Sequence, residues 1–178
     1  MKTISFVTQK GGTGKSHLAI SLAVYAEEQG EKVCLIDLDP QGSTAAWYDT
    51  RAAETPAVIT AEHFTSLPDV LRTLEAGGYT LAIIDTQGQD SHATRGAMAA
   101  ADLSLVPVRP SEADIRASQP TAAALSEMGK RFAFVINQAQ PSPRARLTGA
   151  VSLRLSTSHQ VAPVAIAARM DHPYAYAL

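Results

Sequence analysis

The chain has 178 residues, the size of one compact domain, and its 46% hydrophobic, 18% charged and 6% aromatic content excludes a disordered tail, a fibrous repeat and a collagen-like chain. A single cysteine, Cys34, excludes a disulfide framework, a CxxC redox pair and a thiolate metal centre built from this chain alone, and it fits a reducing, cytoplasmic compartment. The net charge is only −2, and no apolar run approaches the roughly 18 residues of a membrane helix, so no membrane partner is expected.

From the N-terminus, the β-branched and aromatic run over 4–8 predicts a strand. Leu18, Leu22 and Tyr25 or Ala26 have helical spacing over 16–29, and Gly30 ends that helix. A strand follows over 32–37, then a helix over 43–51 with Ser43 as N-cap, a short strand over 58–60 and a helix over 67–76 stopped by Gly77-Gly78. Residues 81–85 read as a buried strand, 91–101 as a helix and 103–108 as a strand. A long helix is expected over 111–129, bent near Pro120. A strand over 131–137, a polar loop over 138–143, a helix over 144–156 and a last strand over 161–167 complete the series. The strands are apolar throughout, which is the pattern of strands buried on both faces. Strand–helix alternation then predicts a three-layer α/β/α fold with a mostly parallel central sheet, as one domain over 1–178. In such sheets the working residues stand at the carboxyl ends of the strands, here 8–10, 37–39, 85–86, 107–110 and 137.

Lys10-Gly11-Gly12-Thr13-Gly14-Lys15-Ser16 follows the first strand and opens the first helix. Three glycines let the backbone turn its N–H groups toward an anion, and the helix adds its positive end. Lys15 supplies a full charge for β- and γ-phosphates, and the Ser16 hydroxyl can ligate Mg²⁺. A Gly-rich turn alone would account for the glycines but not for Lys-Ser directly after them. Asp37 and Asp39, two apart at a strand end, face the phosphate loop; one can support a metal-bound water and the other can orient an attacking water. In Leu81-Ala82-Ile83-Ile84-Asp85, four apolar residues bury a strand and one carboxylate emerges to hold Mg²⁺ through water, the Walker B pattern.

The early lysine of Lys-Gly-Gly-Thr-Gly-Lys-Ser resembles the deviant Walker A box of the ParA/MinD family of P-loop NTPases. The resemblance covers residues 3 to about 140. It implies that ATP and Mg²⁺ are the cofactors, and that Lys10 reaches the phosphates of a partner subunit in a nucleotide-sandwich homodimer. It assigns Asp39 to orienting the attacking water and Asp37 to the magnesium environment. Gly11, Gly12, Thr13, Gly14 and His17 fall in the nucleotide-binding stretch, although relatives often have Thr in place of His17. Asn137 matches the position of an adenine-contacting asparagine, and Val106-Pro107-Val108-Arg109-Pro110-Ser111 is similar to a segment near the dimer face. Thr86-Gln87-Gly88 departs from the family's Thr-Pro-Pro, which predicts a looser loop there.

Among relatives, the box begins near residue 10 with no room ahead of it for an N-terminal DNA-binding domain, as in small plasmid-type ParA proteins. The chain also stops where those proteins continue into one more helix, so a missing C-terminal helix is expected. Residues 128–178 carry six Lys or Arg against one Asp. On composition alone this is a solvated arginine-rich surface. With the resemblance it becomes a surface for non-specific double-stranded DNA, with Arg144, Arg146, Arg154 and Arg169 as candidates. The implied function is a partition ATPase that dimerises on ATP, binds DNA on the nucleoid and is released when a ParB-like adaptor stimulates slow hydrolysis. The alternatives are a positioning ATPase for a protein cargo and a metabolic P-loop enzyme of the synthetase type.

Overall fold

A computed structural model describes residues 1–61, 66–140 and 145–169. Six strands, β1 (Lys2–Phe6), β2 (Val33–Asp37), β3 (Ala57–Thr60), β4 (Leu81–Asp85), β5 (Leu103–Val108) and β6 (Phe132–Ile136), form one sheet in the order β3-β2-β4-β1-β5-β6. Every pairing is parallel. The helices are α1 (Lys15–Glu28), α2 (Ser43–Asp49), α3 (Leu67–Ala76), α4 (His92–Ala100), α5 (Glu112–Glu127) and α6 (Ala145–Ser156).

β2 and β4 are buried at every residue, as their unbroken apolar sequences require. Their side chains alternate between two cores. Val33, Leu35, Leu81 and Ile83 pack with Leu18, Ile20 and Trp47 beneath α1 and α2. Cys34, Ile36, Ala82 and Ile84 pack with Leu74 and Ala97 of α3 and α4 on the other face. A third cluster joins Val106, Phe134 and Ile136 to Ile115, Leu125, Val151 and Leu155 of α5 and α6. The result is a three-layer α/β/α fold of the P-loop type. No helix among the described residues is long and apolar enough to cross a membrane.

The expected strand over 161–167 is not formed. Only two isolated parallel bridges, Val161 to Phe134 and Ala167 to Ala139, touch the sheet edge. The register slips between them: Ala162 N donates to the Phe134 carbonyl but Ile166 N to the Ile136 carbonyl, so two extra residues bulge out and interrupt the ladder. At α2, Ser43 is the first helical residue rather than the cap. The N-cap position is Gly42 in the left-handed region, with no side-chain cap of its own. α5 continues through Pro120 for its full 16 residues, with Ser111 as its N-cap. Of the expected polar loop over 138–143, residues 141–143 lie outside the described residues.

Candidate functional site

The strand order sets the carboxyl ends of β2, β4 and β1 side by side. Asp37 is in register with Asp85, and Asp85 with Phe6, so both carboxylates flank the loop that leaves β1. Gly12 and Gly14 take left-handed conformations there, with φ of 73° and 89°. Gly14 is also the N-cap of α1 and caps it with no side chain. The first-turn N–H groups of α1 are therefore open to an anion, which the helix dipole favours.

Two residues brace this loop from behind. Asn137 Nδ2 donates to the Thr13 carbonyl at 2.8 Å, and Gln138 Nε2 donates to the Gly12 carbonyl at 3.3 Å. A Cβ on Gly14 would meet Asn137 Nδ2 at 2.3 Å, so a side chain there would push that amide off the loop as well as strain the left-handed backbone. Gly88 lies flush on the front of the loop: a Cβ there would stand 2.9 Å from the Gly11 backbone. Expected at an adenine-contacting position, Asn137 here spends its amide on the phosphate loop itself.

Lys15 is buried, and burial lowers its pKa while the charges of Asp85 and Asp39 oppose that shift. A buried ammonium between carboxylates is set to meet a further anion. Asp85 is fully buried, and burial pushes its carboxyl up to about 6, against hydrogen bonds from Ser16 and Thr44. Thr44 Oγ1 donates to Asp85 Oδ2 at 2.9 Å, while Asp85 Oδ1 has no hydrogen-bond partner among the described residues.

That orphaned oxygen beside the Ser16 hydroxyl suits a magnesium-bound water. No group of three or more His, Cys, Asp or Glu able to hold a metal exists among the described residues. A divalent ion here would take most of its ligands from phosphate and water, which is the habit of Mg²⁺.

The remaining candidates are placed as follows. Asp37 Oδ1 accepts from Asp39 N at 2.9 Å, and its Oδ2 accepts from Thr44 N and Ala45 N at 3.1 and 3.0 Å. Asp37 therefore caps α2 from the end of β2. Burial raises its pKa, and those backbone N–H groups oppose the rise. Asp39 accepts from Gln41 N at 2.9 Å in a local turn and stays half-buried at the rim. His17 follows Ser16 in the first turn of α1 and is half-buried. A cleft of about 450 Å³ opens beside Ser16, lined by Ser43, Ala46, Trp47 and Thr50.

Lys10 points away from this cradle. Its Nζ is 3.0 Å from Oδ2 of the buried Asp114 on α5. Arg109 Nε is 3.0 Å from Oδ1 of the same carboxylate, and the Ser111 hydroxyl donates to Oδ2 at 2.5 Å. Asp114, Thr44 and Gln138 were not among the residues the motifs single out, and Gly88 stood only in the departure Thr86-Gln87-Gly88, with no contact assigned to it. For Asp114 a signal existed: Ser111-Glu112-Ala113-Asp114 has the spacing of a helix-capping pair. The other three contacts depend on topology and have no local signature.

Arg146 and Arg169 are exposed. Arg154 is ion-paired with Glu112 at 2.5 Å, and Arg116 shares that carboxylate. Arg144 lies outside the described residues.

Residues 4–164 match the CobQ/CobB/MinD/ParA nucleotide binding domain. The chain is 35% identical over 115 residues to maintenance of carboxysome distribution protein A of Gloeobacter kilaueensis, covering 64% of this chain and 52% of that protein. It is 30% identical over 177 residues to the chromosome-partitioning ATPase Soj of Thermus thermophilus, covering 84% and 68%. A third relative, protein ParA of Rhizobium radiobacter, is 31% identical, with 64% and 51% covered. The chain thus spans about half to two thirds of the length of these relatives. Among solved structures, a plasmid partition protein of Borrelia burgdorferi bound to AMPPNP superposes with a TM-score of 0.74 at 19% identity, covering 99% of this chain and 88% of that one. A chain of the MinC:MinD cell division protein complex of Aquifex aeolicus gives 0.73 at 16% identity, covering 96% and 83%. With the phosphate loop, the Walker B carboxylate and a family match over most of its length, the chain belongs to the CobQ/CobB/MinD/ParA family of nucleotide-binding domains.

Proposed function

We propose that the chain is an ATP-driven partition switch of the ParA type. The observation that carries this reading is the convergence of three groups at one sheet end. These are an open glycine cradle on α1, the buried Lys15 beneath it, and the Asp85 carboxylate with one oxygen unspent.

In this reading the backbone of 11–14 and the α1 N-terminus receive the phosphates, and Lys15 sits against the β- and γ-phosphate oxygens. Ser16 and Asp85 would hold Mg²⁺, which when bound neutralises charge on the phosphate oxygens. Asp39, at the rim and solvated, orients the attacking water, while Asp37 keeps the turn beneath it in place. Lys10 leaves Asp114 and reaches the phosphates bound by a second copy, so ATP drives a homodimer. The dimer binds duplex DNA without sequence preference through its arginine surface, and an adaptor protein of the ParB kind stimulates hydrolysis and release. The site of action is the nucleoid in the cytoplasm.

Lys10→Ala is the test. It should keep nucleotide affinity within about threefold, because Lys15 and the loop backbone remain, yet lose ATP-driven dimerisation and turnover by about a hundredfold. Dimerisation followed by light scattering and turnover by phosphate release decide it. Unchanged values for both would overturn the sandwich.

A second reading has an observation of its own. The carboxysome distribution relative is 35% identical, and the Glu112 pairing of Arg154 thins the basic surface. The same switch would then position a protein cargo.

A further inference from the structure

We infer that Arg109 is a positioning residue that sets how easily Lys10 is released from Asp114. The inference rests on the dimer reading above, in which Lys10 must move.

Asp114 is 4% exposed, yet it holds two cations on separate oxygens: Lys10 on Oδ2 and Arg109 on Oδ1. The Ser111 hydroxyl shares Oδ2 with Lys10. Burial works to raise the Asp114 carboxyl, but hydrogen bonds from Ser111, Arg109 and Lys10 outweigh it and hold the group below its ordinary value. The carboxylate is thus ionised while Lys10 is on it.

The cost of that departure depends on what stays behind. A buried carboxylate stripped of its only cation is strongly unfavourable, whereas one that keeps a partner is not. Because Arg109 occupies the other oxygen, Lys10 can leave without Arg109 moving. Arg109 also shares the one carboxylate charge with Lys10 and so weakens its hold. Arg109 itself is 37% exposed, and Lys10 30%, so water reaches both cations from the side opposite Asp114. Nothing in Lys-Gly-Gly-Thr-Gly-Lys-Ser supplies this second cation. It comes from the β5–α5 turn, where Ser111 caps α5 and fixes Asp114 by a backbone bond of 3.1 Å.

The consequence runs against the usual effect of deleting a surface arginine. Arg109→Gln should hold Lys10 tighter rather than looser. In the nucleotide-free protein, the acylation rate of the Lys10 amine, read by mass spectrometry against Lys32 and Lys130 in the same sample, should fall by about tenfold. Arg109→Lys should restore it to within about threefold. In an Asp114→Asn background the rate should rise, and Arg109→Gln should then change nothing, since its effect passes through the carboxylate. An unchanged or faster rate in Arg109→Gln overturns the proposal, as does an equal effect with and without Asp114. If Asp114→Asn does not fold, the Gln and Lys variants of Arg109 decide alone. Dimerisation on a non-hydrolysed ATP analogue, measured in parallel, tests the sandwich: wild-type protein that stays monomeric overturns that reading, while the labelling rates still decide the role of Arg109.

Discussion

At Asp85 a buried carboxylate is kept without a full set of partners, and this has a measurable cost. Its pKa is raised to about 6, from an ordinary value near 3.8, chiefly by burial. The folded protein therefore binds a proton there more readily than the unfolded chain does. Stability from this group is greatest below pH 4 and is lost as pH rises from about 4 to 6. Asp37, raised in the same direction, adds to the slope. Asp85→Asn removes the charge and keeps the shape. Without nucleotide at pH 7.5 it should stabilise the fold by about 2 kcal/mol and raise Tm by roughly 5 °C. Calorimetry at pH 4, 5, 6 and 7.5 reads both the gain and the flattened slope. The same variant should lose Mg²⁺-dependent turnover. A lower Tm at pH 7.5 would mean that the Thr44 and Ser16 hydrogen bonds outweigh burial. The residues legible in the sequence are those whose chemistry is local. Glycines followed by Lys-Ser, and a carboxylate ending an apolar run, need no knowledge of the fold. The brace from Asn137 to Thr13 spans 124 residues, and the ion pair from Lys10 to Asp114 spans 104. Such contacts exist only once the sheet order is known.

Among the elements, α2 is the one whose start is set from outside. Its N-cap position has no side chain to offer, and the cap comes from Asp37, seven residues before Thr44. Ser43 had the right chemistry for a cap, which is why a local reading places the cap there. The left-handed Gly42 turns the chain so that two helix N–H groups face the end of β2 instead. Asp37→Ala should leave three backbone N–H groups without an acceptor and cost about 2–3 kcal/mol, above an ordinary cap. Urea unfolding of the nucleotide-free protein measures it, and Asp37→Asn should recover about half. A loss under 0.5 kcal/mol would show that water replaces the carboxylate freely. The strands were legible for a different reason. β2 and β4 are apolar without alternation up to a terminal aspartate, and at that length, rich in branched residues, such a run reads as a strand buried on both faces. The stretch over 161–167 is also apolar, but four of its residues run past two of β6, and that slip reduces it to two bridges.

For the whole molecule, the question is where positive charge is available. Arg146 is exposed on α6, whereas Arg154 is held by Glu112. If the dimer binds duplex DNA by phosphate contacts, log affinity falls with log salt by about 0.9 per phosphate neutralised. Arg146→Ala should reduce that slope by about 1 per protomer, and Arg154→Ala by less than half as much, because Glu112 already screens it. Salt titrations with a non-hydrolysed ATP analogue, ADP and no nucleotide measure this. Binding that ignores nucleotide, or that is absent, favours the protein-cargo reading.

The strand order β3-β2-β4-β1-β5-β6 also constrains how the molecule is made. β1 and β2 are the first strands to leave the ribosome, but they do not pair with each other. β4 inserts between them. Until residue 85 has emerged, β1 has no partner strand, β2 has only β3, and the glycine loop has no walls. The loop's rear brace arrives later still, with Asn137. A nascent chain therefore translates its phosphate-binding motif long before it can bind a nucleotide. That interval, with β1 unpaired and β2 held on one edge only, is when a holdase chaperone would be needed.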